Sequence, residues 1–426
     1  TRLMAATLRR PVIVATAALL ALALPAVAVR ATEAPVVVAE QAPDDADRRI
    51  LVMLKLGAEH YRAGADYGGG GYGDAVGQAA RVRVARRIAK EHGLEFVDNW
   101  PMPVLGIDCV IMVVPAGRSL DTVTAQLSTL PDVAWSQPIN RFHVEGAKAV
   151  PMSAGPNDQL YAAQPASRQW QLDRLHGVAT GRGVTIAVID SRVDVAHPDL
   201  AGQISSSENF AGEANRAAER HGTGVAGIIA ARANNSVGIV GVAPGARVMA
   251  LRACWERPGG GTVCDSLSIA KALSFAIERR ANIINLSLSG PDDRLIAALI
   301  GISIARGADV IAAVDSSSND KGFPASVSGV IAVAEKGLST QRAGVYIAPG
   351  ADVPTTEPGG KWYLVNGSSY AAAHVSGLAA LIRQVNHANG TRIATSKALG
   401  GRGEIDACAA LSRAAPLVEG SCTVAR

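Results

Sequence analysis

The sequence predicts an α/β fold built on a mostly parallel sheet with helices on both faces, preceded by a small α+β domain. Three observations carry that expectation. Between about residues 150 and 400, short β-branched runs (GVTIAVID, ARVMALRA, ANIINLSL, ADVIAAV, SGVIAVA) alternate with helical stretches such as TGVAGIIAARA, SIAKALSFAIERR and LIAALIGISIARG. That alternation marks a parallel sheet covered on two sides. Ahead of it, residues 50–147 read strand–helix–strand–strand–helix–strand. Apolar residues make up 48 % of the 426 and charged residues 18 %, a balance suited to a chain that buries a sizeable core.

The elements follow in order. Arg2, Arg9 and Arg10 precede VIVATAALLALALPAVA, so residues 1–28 read as a secretory signal cleaved at the small-residue site Ala26–Ala28. The run is broken by Pro25 and is short for a membrane span. No other stretch is long and apolar enough to cross a bilayer, so a secreted protein (periplasmic or extracellular) with no membrane span in its mature form is expected. Residues 29–49 read as a linker. In the small domain, 50–147, ILVMLKL is a strand, GGGGYG (68–73) a loop and VGQAARVRVARRIAKEHG a basic helix. LEFVDNW through VIMVV supplies strand material, SLDTVTAQLSTL a second helix capped by Ser119 or Asp121, and VAWSQP a last strand. Residues 148–400 form the larger domain and 401–426 a tail.

The net charge of +4 is spread along the chain without a dense Lys/Arg block, which argues against nucleic acid as a partner. Export gives the five cysteines meaning, since disulfides persist in oxidising compartments. Cys254 and Cys264 flank a turn, and Cys408 and Cys422 close a short C-terminal loop. Near-neighbour bridging is expected, although other pairings remain open. Cys109 is left over inside CVIMVV.

Working residues of a parallel sheet gather at the carboxyl ends of its strands. Asp190 ends GVTIAVID, His221 opens HGTGVAGIIA, and Ser369 sits at the head of the small-residue helix in NGSSYAAAHVSG. Alone, each is an ordinary turn, structural or N-cap residue. Together, Asp, His and Ser stand in the chain order of one known catalytic constellation. Gly222, Gly224 and Gly227 also spell G-x-G-x-x-G, but no strand precedes them and no acid follows at the needed distance, so the dinucleotide reading fails.

The three motifs VIDSRVDVAHPDL, HGTGVAGIIA and NGSSYAAAHVSG, with NNSVGIVGVAPGARVMAL between them, resemble the subtilisin-like serine proteases, the subtilases. The resemblance spans roughly 150–385 and implies a three-layer fold. It implies a serine endopeptidase acting on polypeptides through Asp190, His221 and Ser369, with Ser368 where threonine is usual. It implies no cofactor for catalysis, a monomer, and a small domain that is a propeptide, the protein's own intramolecular inhibitor, released near 144–157. Substrate strands would pair with Ser287-Leu288-Ser289 and with the turn around Gly260. Asp158, Asp199 and Asn235, with the carbonyls of Arg232, Val237 and Ile239, match an oxygen-only Ca²⁺ site of thermitase-like members.

The sequence also departs from the family. Asp315 stands where an oxyanion-binding asparagine is expected, and Val314 where glycine is usual. Losing such a donor costs about 10²–10³ in turnover, a figure from subtilisin itself. Either Asp315 donates as a protonated acid, or Asn319 reaches the hole, or the chain is a weak or inactive subtilase that binds peptides. Val314 would favour small side chains before the scissile bond. Arg192 and Ala373 are lesser departures that bear on local backbone geometry.

Overall fold

The structure is a computed structural model and describes residues 48–55, 75–143, 150–151, 158–212, 217–257, 260–318, 320–336, 344–390 and 393–414. The expected signal, nearly all of the linker, the GGGGYG loop, Asn319 and Cys422 lie outside these. The chain divides into two units, Thr1–Ala42 and Pro43–Arg426, and every described residue belongs to the second.

The small sheet comprises β1 (Arg49–Lys55), β2 (Glu95–Met102), β3 (Ile107–Val113) and β4 (Val133–Pro138), with helices α1 (Ala75–Glu91) and α2 (Leu120–Leu127). Its order is β2-β3-β1-β4 with antiparallel neighbours, the arrangement of a ferredoxin-like domain. Ser119 rather than Asp121 caps α2: its Oγ accepts from the Thr122 amide. A three-residue strand β5 (Arg141–His143) leaves this domain, and β6 (Val150–Pro151) follows.

The larger region runs α3 (Pro165–Gln169), α4 (Leu172–Val178), β7 (Thr185–Asp190), β8 (Ile204–Asn209), α5 (Arg220–Ala230), β9 (Arg247–Arg252), β10 (Cys254–Glu256) and β11 (Thr262–Asp265). It continues with α6 (Ser266–Glu278), β12 (Ile283–Leu286), α7 (Arg294–Ala305), β13 (Asp309–Ala313), β14 (Ile331–Glu335), β15 (Val345–Ala348), β16 (Val353–Glu357) and β17 (Lys361–Val365). The long α8 (Ser368–Ala388), α9 (Thr395–Leu399), β18 (Gly403–Glu404) and α10 (Ala407–Ala414) complete it. Eight strands form the central sheet in the order β18-β15-β14-β13-β12-β7-β9-β8, all neighbours parallel. Strand β7 shows why its sequence is apolar throughout. Ile186 and Val188 pack with α5 and α8 on one face, while Ala187 and Ile189 pack with α6 and α7 on the other. The order of connection reverses at β7, so a crevice opens at its carboxyl end. Asp190 ends that strand.

The run ILVMLKL has the same explanation. Ile50, Val52 and Leu54 of β1 pack under α1 and α2. Leu51 and Met53 share a core with Cys109, Ile111, α6 and α7. The small sheet is thus covered on both faces, by its own helices and by two helices of the larger region. Cys109 is a free, buried thiol; burial, aided by Asp108, pushes it up to about 12, so it stays protonated and unreactive. Cys254 and Cys264 are bonded across β10 and β11. Cys408 is also disulfide-bonded, while its expected partner Cys422 lies outside the described residues. Among the described residues no helix is long and apolar enough to cross a membrane.

Candidate active site

Asp190 is held by the sheet itself: its carbonyl accepts from the Ala253 amide. Its Oδ1 accepts from the Ser191 amide at 2.6 Å and from His221 Nδ1 at 2.8 Å. His221 lies in the first turn of α5, where helix amides lack internal partners. The flanking residue Glu219 makes no side-chain cap. A carboxylate from another strand does so instead: Glu256 Oε1 accepts from the amides of Arg220 (2.6 Å) and His221 (3.1 Å). Behind it, buried Arg252 donates Nε and Nη2 to the two oxygens of buried Glu219 at 3.0 and 2.9 Å. Glu219 also accepts from the amides of Arg192 and Glu256. The loop after β7, the start of α5 and the hairpin after β9 are thereby tied together under the imidazole. Gly222 is required because a Cβ there would strike the Ser191 carbonyl. Gly224 and Gly227 let α5 press on Thr355 and Thr356, whose hydroxyls donate to the carbonyls of Gly224 and Thr223.

Ser369 is the second residue of α8, after Gly367 at φ +137°. The tyrosine that follows it brings this helix to the histidine, the Tyr370 and His221 rings lying 5.3 Å apart. Of the two links that would join the three side chains, the one between His221 and Ser369 is not made. The Ser369 hydroxyl donates to the Ser287 carbonyl at 3.1 Å, and His221 Nε2 is buried without a partner among the described residues. Hydrogen bonds between catalytic groups often tighten only in the reacting complex. Ser287 Oγ returns a bond to the Ser369 carbonyl at 3.0 Å. Ser368 Oγ, which stands where threonine is usual, is buried and makes no bond among the described residues.

At the expected oxyanion position the Asp315 side chain turns toward its own loop. Asp315 Oδ1 accepts from the Ser317 amide (2.7 Å) and hydroxyl (2.6 Å), closing a turn within its own loop. Val314 is fully buried in the core layer that contains Leu286 and Leu288. Arg192 pairs its backbone with Glu219, and α8 runs unbroken through Ala373; both departures are absorbed without distortion.

Of the two segments expected to flank a substrate strand, Ser287-Leu288-Ser289 borders β5 through Ser289, and the turn at Gly260 does not border it. Ser289 exchanges backbone bonds with His143 at 2.6 and 2.7 Å. On its other side β5 pairs with β11, in the register Arg141–Asp265, Phe142–Cys264 and His143–Val263. The strand beside β5 on that side is β11 rather than the turn at Gly260. Gly260 and Gly261 have φ of +101° and +88° and make the hairpin tip, a backbone that cannot pair as a strand. Residues 141–143 fill the slot between the two edges. Phe142 is fully buried against Gly290 and 6.0 Å from the Phe323 ring.

The calcium candidates converge on the loop 232–239. Asp199 accepts from Asn235 Nδ2 (2.8 Å), the Ile239 amide (3.0 Å) and Trp362 Nε1 (2.7 Å). Asp158 Oδ2 accepts from the Asn234 amide at 2.9 Å, while its Oδ1 is buried without a partner among the described residues. Burial raises the pKa of the Asp199 carboxyl. No group of three or more His, Cys, Asp or Glu side chains is placed to hold a metal among the described residues. The donor set suits a hard cation only if the Asn235 amide turns its oxygen inward and the carbonyls contribute.

A family model, the subtilase family of peptidase S8, matches residues 181–399, just over half of the chain. The chain belongs to the subtilase family. Among subtilase relatives it is 34 % identical over 279 residues to a thermophilic serine proteinase of Bacillus sp. (strain AK1), covering 62 % of this chain and 66 % of that one. It is 36 % identical over 220 residues to subtilisin E of Bacillus subtilis (strain 168), covering 48 % and 56 %. With thermitase of Thermoactinomyces vulgaris it shares 32 % over 240 residues, covering 53 % and 85 %. The chain thus spans 66 % and 56 % of the first two relatives' lengths. In fold it resembles fervidolysin of Fervidobacterium pennivorans, described as a keratinolytic enzyme related to subtilisin, with a TM-score of 0.62 at 23 % identity over 87 % of this chain and 61 % of that one.

Proposed function

We propose that this subtilase is a secreted serine endopeptidase, made as a zymogen whose residues 50–147 block it until they are cut away. The observation that carries the reading is the Asp190–His221 bond at the sheet's switch point, with Nε2 left open beside the helix that bears Ser369. In the reaction the Ser369 hydroxyl leaves the Ser287 carbonyl and gives its proton to His221 Nε2 as Oγ bonds to the scissile carbon. Asp190 Oδ1 holds the imidazole in the needed tautomer and stabilises its charged form. The proton then passes to the leaving amine, and water repeats the sequence on the acyl-enzyme. The amides and positive dipole end at the start of α8 face the developing oxyanion. The inhibitor role is supported by β5, which lies where a substrate strand would add. Val314 narrows the pocket before the scissile bond. With the Asn235 amide oxygen turned inward, Asp158, Asp199 and Asn235 would hold a structural Ca²⁺; a chelator is expected to lower the melting temperature.

The test is cleavage of the full-length chain within 144–157 together with fluorophosphonate labelling, both absent in Ser369→Ala. The turned-in Asp315 favours a second reading, a peptide-binding subtilase without turnover. That reading prevails if the wild-type chain is neither cut nor labelled while peptides still bind its groove.

A further inference from the structure

The outer face of the sheet β10-β11-β5 carries a grouping that neither catalysis nor the buried aromatic explains. Arg141 stands directly opposite Asp265 across the β5–β11 ladder, with Nη1 4.0 Å from Asp265 Oδ2. Its guanidinium carbon also lies 5.5 Å from the centre of the Trp255 ring, so one cation has an aromatic face and a carboxylate. The two holding residues are fixed by covalent structure. Trp255 follows Cys254, Asp265 follows Cys264, and the disulfide joins those cysteines across the hairpin. Side chains alternate along a strand. The cysteines and Phe142 are therefore buried on the inner face, while Trp255, Asp265 and Arg141 share the outer one. Asp265 is further immobilised because its Oδ1 caps α6 through the Ser268 amide at 2.8 Å.

We propose that Trp255 and Asp265 form a subsite for a guanidinium side chain, set one residue before the aromatic residue that fills the Phe142 pocket in an extended peptide. This rests on the reading of β5 as a strand lying in the substrate groove. In the zymogen the subsite is filled by Arg141; in the released enzyme it selects peptides with arginine at that position. A planar guanidinium meets a ring face and a carboxylate at once, which the ammonium of lysine does less well.

Two arms test it. In the full-length Ser369→Ala chain, hydrogen exchange is read at the amides of His143 and Ser289. Arg141→Gln, Trp255→Ala and Asp265→Asn are each expected to speed exchange roughly 3- to 30-fold, the range for a partly exposed cation–π contact and ion pair. Arg141→Lys falls between, and combining Arg141→Gln with Trp255→Ala adds little to either alone. Asparagine keeps the cap at 265, and Arg141 lies on a partly exposed strand, so these variants leave the fold in place. In the second arm, released wild-type enzyme is given peptides with the sequence of residues 139–147 carrying Arg or Gln at position 141. The Arg peptide is expected to show kcat/KM higher by a similar factor, and Trp255→Ala to bring the ratio near one. Exchange altered by less than twofold, effects of Arg141→Gln and Trp255→Ala that simply multiply, or two peptides cut equally well overturn the subsite while leaving the protease reading intact. If neither peptide is cut and Ser369 takes no label, the protease reading fails and the exchange arm alone decides the subsite.

Discussion

The two halves of the candidate active site are built to different standards. On the Asp190–His221 side the groups that hold the imidazole in place are committed, from Asp190 Oδ1 on Nδ1 to Glu256 on the backbone amide and the buried Arg252–Glu219 pair beneath, and Nε2 is left open. On the Ser369–Asp315 side the hydroxyl bonds to a carbonyl and the oxyanion residue faces its own turn. A base can be held rigidly because its position is the same throughout the reaction. A nucleophile and its oxyanion donor act only when a carbonyl arrives. On the proposed protease reading, the contrast teaches that the proton-handling half is set in the fold, and charge stabilisation is where activity would be lost or gained.

The largest effect expected is from Ser369→Ala, which should lower kcat for a peptide substrate by about 10⁴–10⁶ with KM little changed; a small loss would mean that the loosely held half carries no chemistry. Next, Arg252→Met leaves Glu219 buried without its cation. It should destabilise the chain by about 3–5 kcal/mol, read by denaturant unfolding. A Glu219→Gln/Arg252→Met double variant should recover part of that, and a neutral result would dissolve the claim that this half is the rigid one.

Acid should act on the helix of the looser half. His374 of α8 is buried, donates Nδ1 to the Tyr370 carbonyl at 2.8 Å and stands edge-on to Trp170. Burial lowers its pKa from 6.5 to about 4. Between those values the unfolded chain binds more protons than the folded one. Its contribution, about 3 kcal/mol, is therefore complete above pH 6.5 and is lost as pH falls to 4. Urea midpoints at pH 7.5 and 4.5 should fall further apart in the wild type than in His374→Gln. The smallest effect is a gain: Asp315→Asn should raise kcat roughly 10- to 100-fold by restoring a donor. An unchanged kcat would show that residue 315 lies outside the charge-stabilising half.

What the sequence revealed and what it concealed divide along the same physical line. Continuous apolar runs and capped helices are local, so β1, β4, β7, α6 and α7 fall within a few residues of their expected bounds. Asp190, His221 and Ser369 were legible because each sits in a motif at the end of an element. Glu219, Arg252 and Glu256 were not, since they come from three segments and only folding makes them neighbours. The sole hint was two charges, Glu219 and Arg252, flanking otherwise apolar elements. Strand β5 was hidden because three residues carry no readable period, and its pairing with β11 was not legible because glycine-rich turns attract attention that Thr262–Asp265 does not. The replacement at 315 could be read at once; that its carboxylate would close its own turn depended on Ser317.

On the zymogen reading, the stopper in the groove is part of the same polypeptide. Diluting the protein a thousandfold leaves its local concentration beside the cleft unchanged, at the millimolar level typical of short tethers. A free peptide competes against that standing supply whatever the volume. On that reading, cutting the backbone turns a permanent neighbour into a solute that can drift away, so the state of one bond, rather than the amount of protein present, would set when the cleft becomes vacant.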